Sequence, residues 1–258
     1  MRILLMDFRR SFLSFGFIAA SVGTCILLFL GDWGDIIRRD SDILSYFNVS
    51  VSIGGVLPLI MLLCSLPYTT NFCSDWNSKF LRPTLIRSGV YKYSWSKILM
   101  CSLTSFLSIV FGAWLFMIIL SFKVPLVNTS AQNYNVYATK TFGSLLLGGN
   151  YITYFALRIY TMAISSSLFA VLGLYISTYI PNKFVALTSP FICFYVLSEV
   201  AYGMGLPSWL QIELIMKSSF NLGGNFINII YCSLLFITLT IVVGILFTKN
   251  VKRRINNG

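Results

Sequence analysis

The chain has 258 residues, of which 57% are hydrophobic and only 10% charged, and it carries a net charge of +11. Soluble domains are about 25% charged, so this composition cannot supply the water-facing surface of a soluble protein. It contains no histidine, which excludes Ser-His and Cys-His catalysis, histidine-ligated metals and imidazole proton relays.

In chain order, Met1–Arg10 carries Arg2, Arg9 and Arg10 ahead of an apolar run, as a secretory signal does. The run is about 20 residues long and no small-x-small cleavage site closes it before Asp32, so a retained first span is expected. Stretches free of Asp, Glu, Lys and Arg cover Ser11–Gly31, Ile43–Ser74, Ile98–Phe122, Ile159–Asn182 and Ser218–Thr248, and Phe184–Gly203 is interrupted only by Glu199. Since about 20 apolar residues cross the hydrocarbon as a helix, six spans are predicted near 12–31, 50–67, 98–122, 158–180, 184–203 and 226–248. The fold class is all-α integral membrane, with one transmembrane domain over 1–258 and no internal repeat.

Orientation follows from counting Lys and Arg on the two sides of these spans. With the N-terminus inside, thirteen basic residues lie on the cytoplasmic side and six on the outer side, the latter being Arg38, Arg39, Lys123, Lys140, Arg158 and Lys217. Both termini are therefore expected in the cytoplasm. The basic residues form short juxtamembrane clusters that meet anionic headgroups, so no nucleic-acid partner is expected.

The connections differ in kind. Pro181-Asn182-Lys183 is a tight inner turn that makes spans four and five an antiparallel pair. The outer segment Lys123–Leu157 is polar at first and then Gly-rich and apolar around Phe142–Gly149, a pattern that suits a return toward the membrane. Leu206–Asn225 reads as short outer helices ahead of span six.

Candidate chemistry is sparse. No GxxxxGK[ST] loop occurs, so the chain has no phosphate cradle of its own. The six cysteines show no CxxC spacing and mostly fall within spans, where they read as small packing residues. Glu199 is the only acid inside a predicted span. Intramembrane charges are expensive and often functional; the alternatives are a substrate-path role, or structural pairing with Arg158 or snorkelling to the outer interface.

The inner segment Tyr68–Lys97 places Phe72, Trp76 and Phe80 at i, i+4 and i+8, one face of a helix. Asp75, Lys79 and Arg82 are interleaved with them, and Pro83 is expected to end or kink the helix. Such a helix can lie in the membrane interface or dock into a groove of a soluble partner.

With these features the chain resembles the permease subunits of ABC-2-type ATP-binding-cassette exporters. Met1–Phe12 looks like the family's N-terminal elbow helix, Asn71–Leu81 like its coupling helix between spans two and three, and Leu206–Asn225 like its outer helices. Phe72, Asp75, Ser78, Arg87 and Lys97 follow the family's loop pattern, whereas Asn77, Ser78 and Lys79 stand where many relatives carry Gly-Thr. The resemblance implies a non-enzymatic permease in a bacterial cell membrane. It would work with a second permease copy or homologue and with cytoplasmic ABC ATPase subunits, which bind the ATP and Mg. It would export an amphiphilic cargo: a peptide, an antibiotic or a lipid-like molecule. Phe72, Asp75, Trp76, Lys79, Phe80, Arg82 and Arg87 would then couple to the ATPase. The rival readings are a non-transporting scaffold or immunity protein, and a transporter driven by an ion gradient; the latter usually needs several buried acids or matched broken helices, which the sequence lacks.

Overall fold

An apolar segment in a bilayer must satisfy its backbone hydrogen bonds within itself, which selects helix. The computed structural model describes residues 2–31, 42–52, 55–129 and 134–257, with side chains for all of these except 2–5, 82, 256 and 257, and every regular element among them is helical. In order these are α1 (Arg2–Phe12), α2 (Phe15–Gly31), α3 (Ile43–Ser52), α4 (Val56–Ser65), α5 (Asn71–Asn77), α6 (Leu81–Ser88) and α7 (Val90–Ser121), followed by α8 (Tyr134–Ala138), α9 (Gly143–Leu147), α10 (Tyr151–Ile176), α11 (Lys183–Gly203), α12 (Ile212–Met216) and α13 (Asn225–Asn257).

Four of these, α7, α10, α11 and α13, are each long and apolar enough to cross a membrane, and the number rises to six if the bent pairs α1–α2 and α3–α4 each count as one crossing. The bends are 40° and 83°. The predicted second span therefore consists of two short helices rather than one straight rod. Two further predicted boundaries are corrected: α7 begins at Val90 and α10 at Tyr151, each about two turns before the charge-free run. Hydropathy marks where hydrocarbon begins, whereas a helix continues as long as its backbone bonds can be made.

α10 lies at the centre, packed against α4, α7, α11 and α13. Its Ser165, Ser166 and Ser167 are buried, and each hydroxyl donates to a carbonyl three or four residues earlier, at 2.7 Å for the shortest bond of each. Hydroxyls satisfied in this way let helices approach closely without an unpaired polar group. Glycine does the same at two crossings. A Cβ on Gly112 of α7 would lie 2.5 Å from the Ser21 carbonyl oxygen of α2, and one on Gly173 of α10 would lie 2.8 Å from the Pro190 ring of α11. The expected tight turn before α11 is present: the Asn182 side chain accepts from the Phe184 amide at 2.9 Å and caps the helix.

Contacts distinguish two ends of the bundle. At the end holding both termini, Arg254 of α13 covers Trp76 of α5 and α1 lies against α7. At the far end, Asp42 accepts from the amides of Ser45 and Asn128, each at 3.0 Å, and the Thr141 hydroxyl donates to the Phe220 carbonyl. The segment predicted as short outer helices contains one described helix, α12.

Candidate functional site

The terminal end buries a group of charges. Lys97 is 2% exposed, because α7 starts at Val90 and carries it inward, two turns along, against the Tyr68 turn and α5. Its Nζ lies 3.0 Å from Asp7 Oδ1 and 2.9 Å from Asp75 Oδ2, and it also donates to Tyr68 Oη at 3.1 Å. Asp7, on the inward face of α1, accepts a second bond from Ser96 Oγ at 2.8 Å. Asp75 accepts from Arg10 Nη1 at 2.9 Å and from Tyr93 Oη at 3.0 Å. Two carboxylates thus face two cations, and every charged group has a partner.

The consequence is mechanical as well as electrostatic. Asp7 and Arg10 belong to α1, Asp75 to α5 and Lys97, Tyr93 and Ser96 to α7, so one ion network fastens three elements. Burial, and then the neighbouring Asp7 carboxylate, push the Tyr68 phenol far above its ordinary range, so it remains a neutral partner for Lys97. An ion group taken out of water is held only if its remaining hydrogen-bonding positions are filled. Here Tyr68, Asn71, Tyr93 and Ser96 fill them.

The residues read from the sequence as coupling to an ATPase are separated. Asn71–Leu81 is not one helix: α5 ends at Asn77, Lys79 has a left-handed backbone (φ 58°), and α6 starts at Leu81. The expected aromatic face is broken with it. Phe72 is fully buried, its ring 5.7 Å from Phe247 and 6.3 Å from Trp76, and Trp76 lies beneath the Arg254 guanidinium at 4.6 Å. Asp75 is buried in the ion network. Phe80, by contrast, is 52% exposed, and Lys79 and Arg87 are exposed with it. Arg82 lies in α6, its side chain outside the described residues. Pro83 neither ends nor kinks a helix; it occupies the third position of α6, where its missing N–H has no intrahelical partner to lose.

The pairing of Glu199 with Arg158 does not form. Arg158 is 2% exposed and lies against the rings of Phe47 and Tyr154, 5.8 and 6.0 Å from their centroids. Glu199 is exposed on α11 and lines a far-end cleft with Gln211 and Glu213. Counting Arg158 as an outer-loop charge fails because α10 starts seven residues before it and turns it inward. Lys140 is held below its usual range by burial and then by Arg158 and Lys217, and Lys217 is itself paired with Glu213 at 2.6 Å.

Sequence reading missed Asp7 and Tyr68 altogether. One signal was available: Asp7 is the only acid among the first 31 residues and stands three before Arg10. Among the described residues no cluster of His, Cys, Asp and Glu could hold a metal. No family model matches the chain, and no curated protein or solved structure shows significant similarity to it.

Proposed function

We propose that the chain is the permease subunit of an ATP-driven exporter of the ABC-2 class, crossing the cell membrane six times with both termini in the cytoplasm. The observation that carries this reading is the buried attachment of α5 to α7 and α1 through Asp75, Lys97 and Arg10. A short helix in a cytoplasmic loop is useful for coupling only if a displacement applied to it reaches the membrane helices. Here α5 cannot shift alone without separating buried ions, and its neighbouring Lys79–Phe80 turn is open to a partner.

Without a phosphate-binding loop in this chain, ATP and Mg belong to separate ATPase subunits, and a second permease copy or homologue completes the pathway. The cargo is amphiphilic. Recovery of the full chain from native membranes in mild detergent tests the reading: an ATPase carrying a phosphate-binding loop should accompany it. Phe80→Ala with Lys79→Gln should weaken that association about thirtyfold, the effect of losing one aromatic anchor. Recovery of the chain with no ATPase, from membranes where both are made, would overturn the proposal.

A further inference from the structure

A furrow runs along the outside of the bundle between α7 and α13, with α10 as its floor. Its inner part is an apolar cavity of about 440 Å³ lined by Leu99, Phe106, Ile164, Phe236 and Ile241 among others, with Trp95 at one end. Trp95 also lines a second cavity of about 150 Å³, nearer the terminal end, together with Tyr91, Lys249 and Lys252. The two cavities adjoin at Trp95, which with Ile98 packs toward Gly244 between them. They lie in line along the α7–α13 seam, which is apolar in its inner part and basic at its mouth. Both lysines are exposed, and among the described residues neither has a carboxylate partner.

We infer that this furrow binds an anionic phospholipid, one acyl chain lying along α7 and the headgroup phosphate between Lys249 and Lys252. Three features select that occupant. Trp95 to Phe106 covers about 17 Å of helix, close to the roughly 15 Å depth of one leaflet. A volume of about 440 Å³ falls in the range of small-molecule pockets. Trp95 and Tyr91 stand where amphipathic rings favour the headgroup level, directly beside the basic pair. A second protein helix would satisfy the apolar length but not the two unpartnered cations. Lipid capture here requires only that the chain sits in a bilayer, whatever its cargo.

The test uses the purified full chain in mild detergent, titrated with phosphatidylglycerol or with phosphatidylcholine of matched acyl chains and read by native mass spectrometry. Phosphatidylglycerol should bind the more tightly. Lys249→Gln with Lys252→Gln should lower its affinity about thirtyfold, from about 1 kcal/mol per basic residue, and that of phosphatidylcholine by less, because the choline cation already offsets the phosphate the two lipids share. Ser102→Phe, which fills the apolar cavity from its α7 wall, should reduce binding of both lipids with the lysines intact. Equal affinity for the two lipids, or a change below threefold in the double lysine variant, overturns the inference. So does efficient disulfide-linked dimer formation by Ser102→Cys, which would make a second copy of the chain the occupant.

Discussion

Replacing Lys97 by Met keeps the length and apolar stem of the side chain and removes its charge. Asp7 and Asp75, with side chains 0% and 5% exposed, then lose their shared cation and keep neutral hydroxyl donors (Ser96 and Tyr68 for Asp7, Tyr93 for Asp75) and the half-exposed Arg10. Breaking a buried pair from one side costs roughly 3–5 kcal/mol, because the orphaned charge stays out of water. The helix with least else to hold it is α5, seven residues long, so it should open first. Cys73 provides a native reporter there: it is buried, and burial raises its thiol pKa, so it is unreactive while α5 stays docked. A local opening eased by 3 kcal/mol should accelerate Cys73 alkylation roughly a hundredfold, measured peptide by peptide against the other cysteines. Adding Asp7→Asn to Lys97→Met should recover part of the loss, whereas Arg10→Gln alone should cost at most about 1 kcal/mol, its side chain being 46% exposed. A Lys97→Met protein that folds and labels Cys73 within threefold of wild type would refute the view that these ions hold α5 in place.

Trp76→Ala should destabilise the docked α5 by about 2–4 kcal/mol, seen as faster Cys73 labelling, because the ring packs on Phe72 and Arg254 rather than facing outward. Phe80→Ala should leave that labelling unchanged. Glu199→Gln should shift thermal stability by less than about 0.5 kcal/mol in detergent, since Glu199 is exposed and has no ion partner among the described residues; a larger loss would reveal a structural role. For topology, a cysteine at Ser78 should resist an impermeant reagent added to intact cells while one at Thr139 reacts, and the reverse pattern would invert the assigned orientation.

The helices were legible because a charge-free run of this length has one solution in a bilayer. Their ends were not, since hydropathy falls at Lys97 and Arg158 while the backbone ladder continues past both. Each was read as a loop charge and each is buried. The coupling segment failed differently: i, i+4, i+8 spacing presumes an unbroken helix, and the left-handed Lys79 between α5 and α6 rotates Phe80 away from Phe72 and Trp76. Asp75 was found by pattern, but its partners lie 65 and 22 residues away in sequence, at Arg10 and Lys97, and no periodicity reports on pairing at that range.

α7 shows why the ion network and the furrow were both hidden. Trp95, Leu99, Ser102 and Phe106 recur at i, i+4, i+7 and i+11 and form the furrow wall. Tyr93 and Lys97, also four apart, share a different face of the same turns and point into the ion network. A helix that presents rings and aliphatics on one side and a lysine with tyrosine on another has little amphipathic signal of the usual kind, since neither face is meant for water. Any displacement of α5 that is transmitted through Asp75 and Lys97 therefore acts on the helix that forms one wall of the furrow. The network and the furrow share one lever, and Lys97→Met should loosen the first without touching a residue that lines the second.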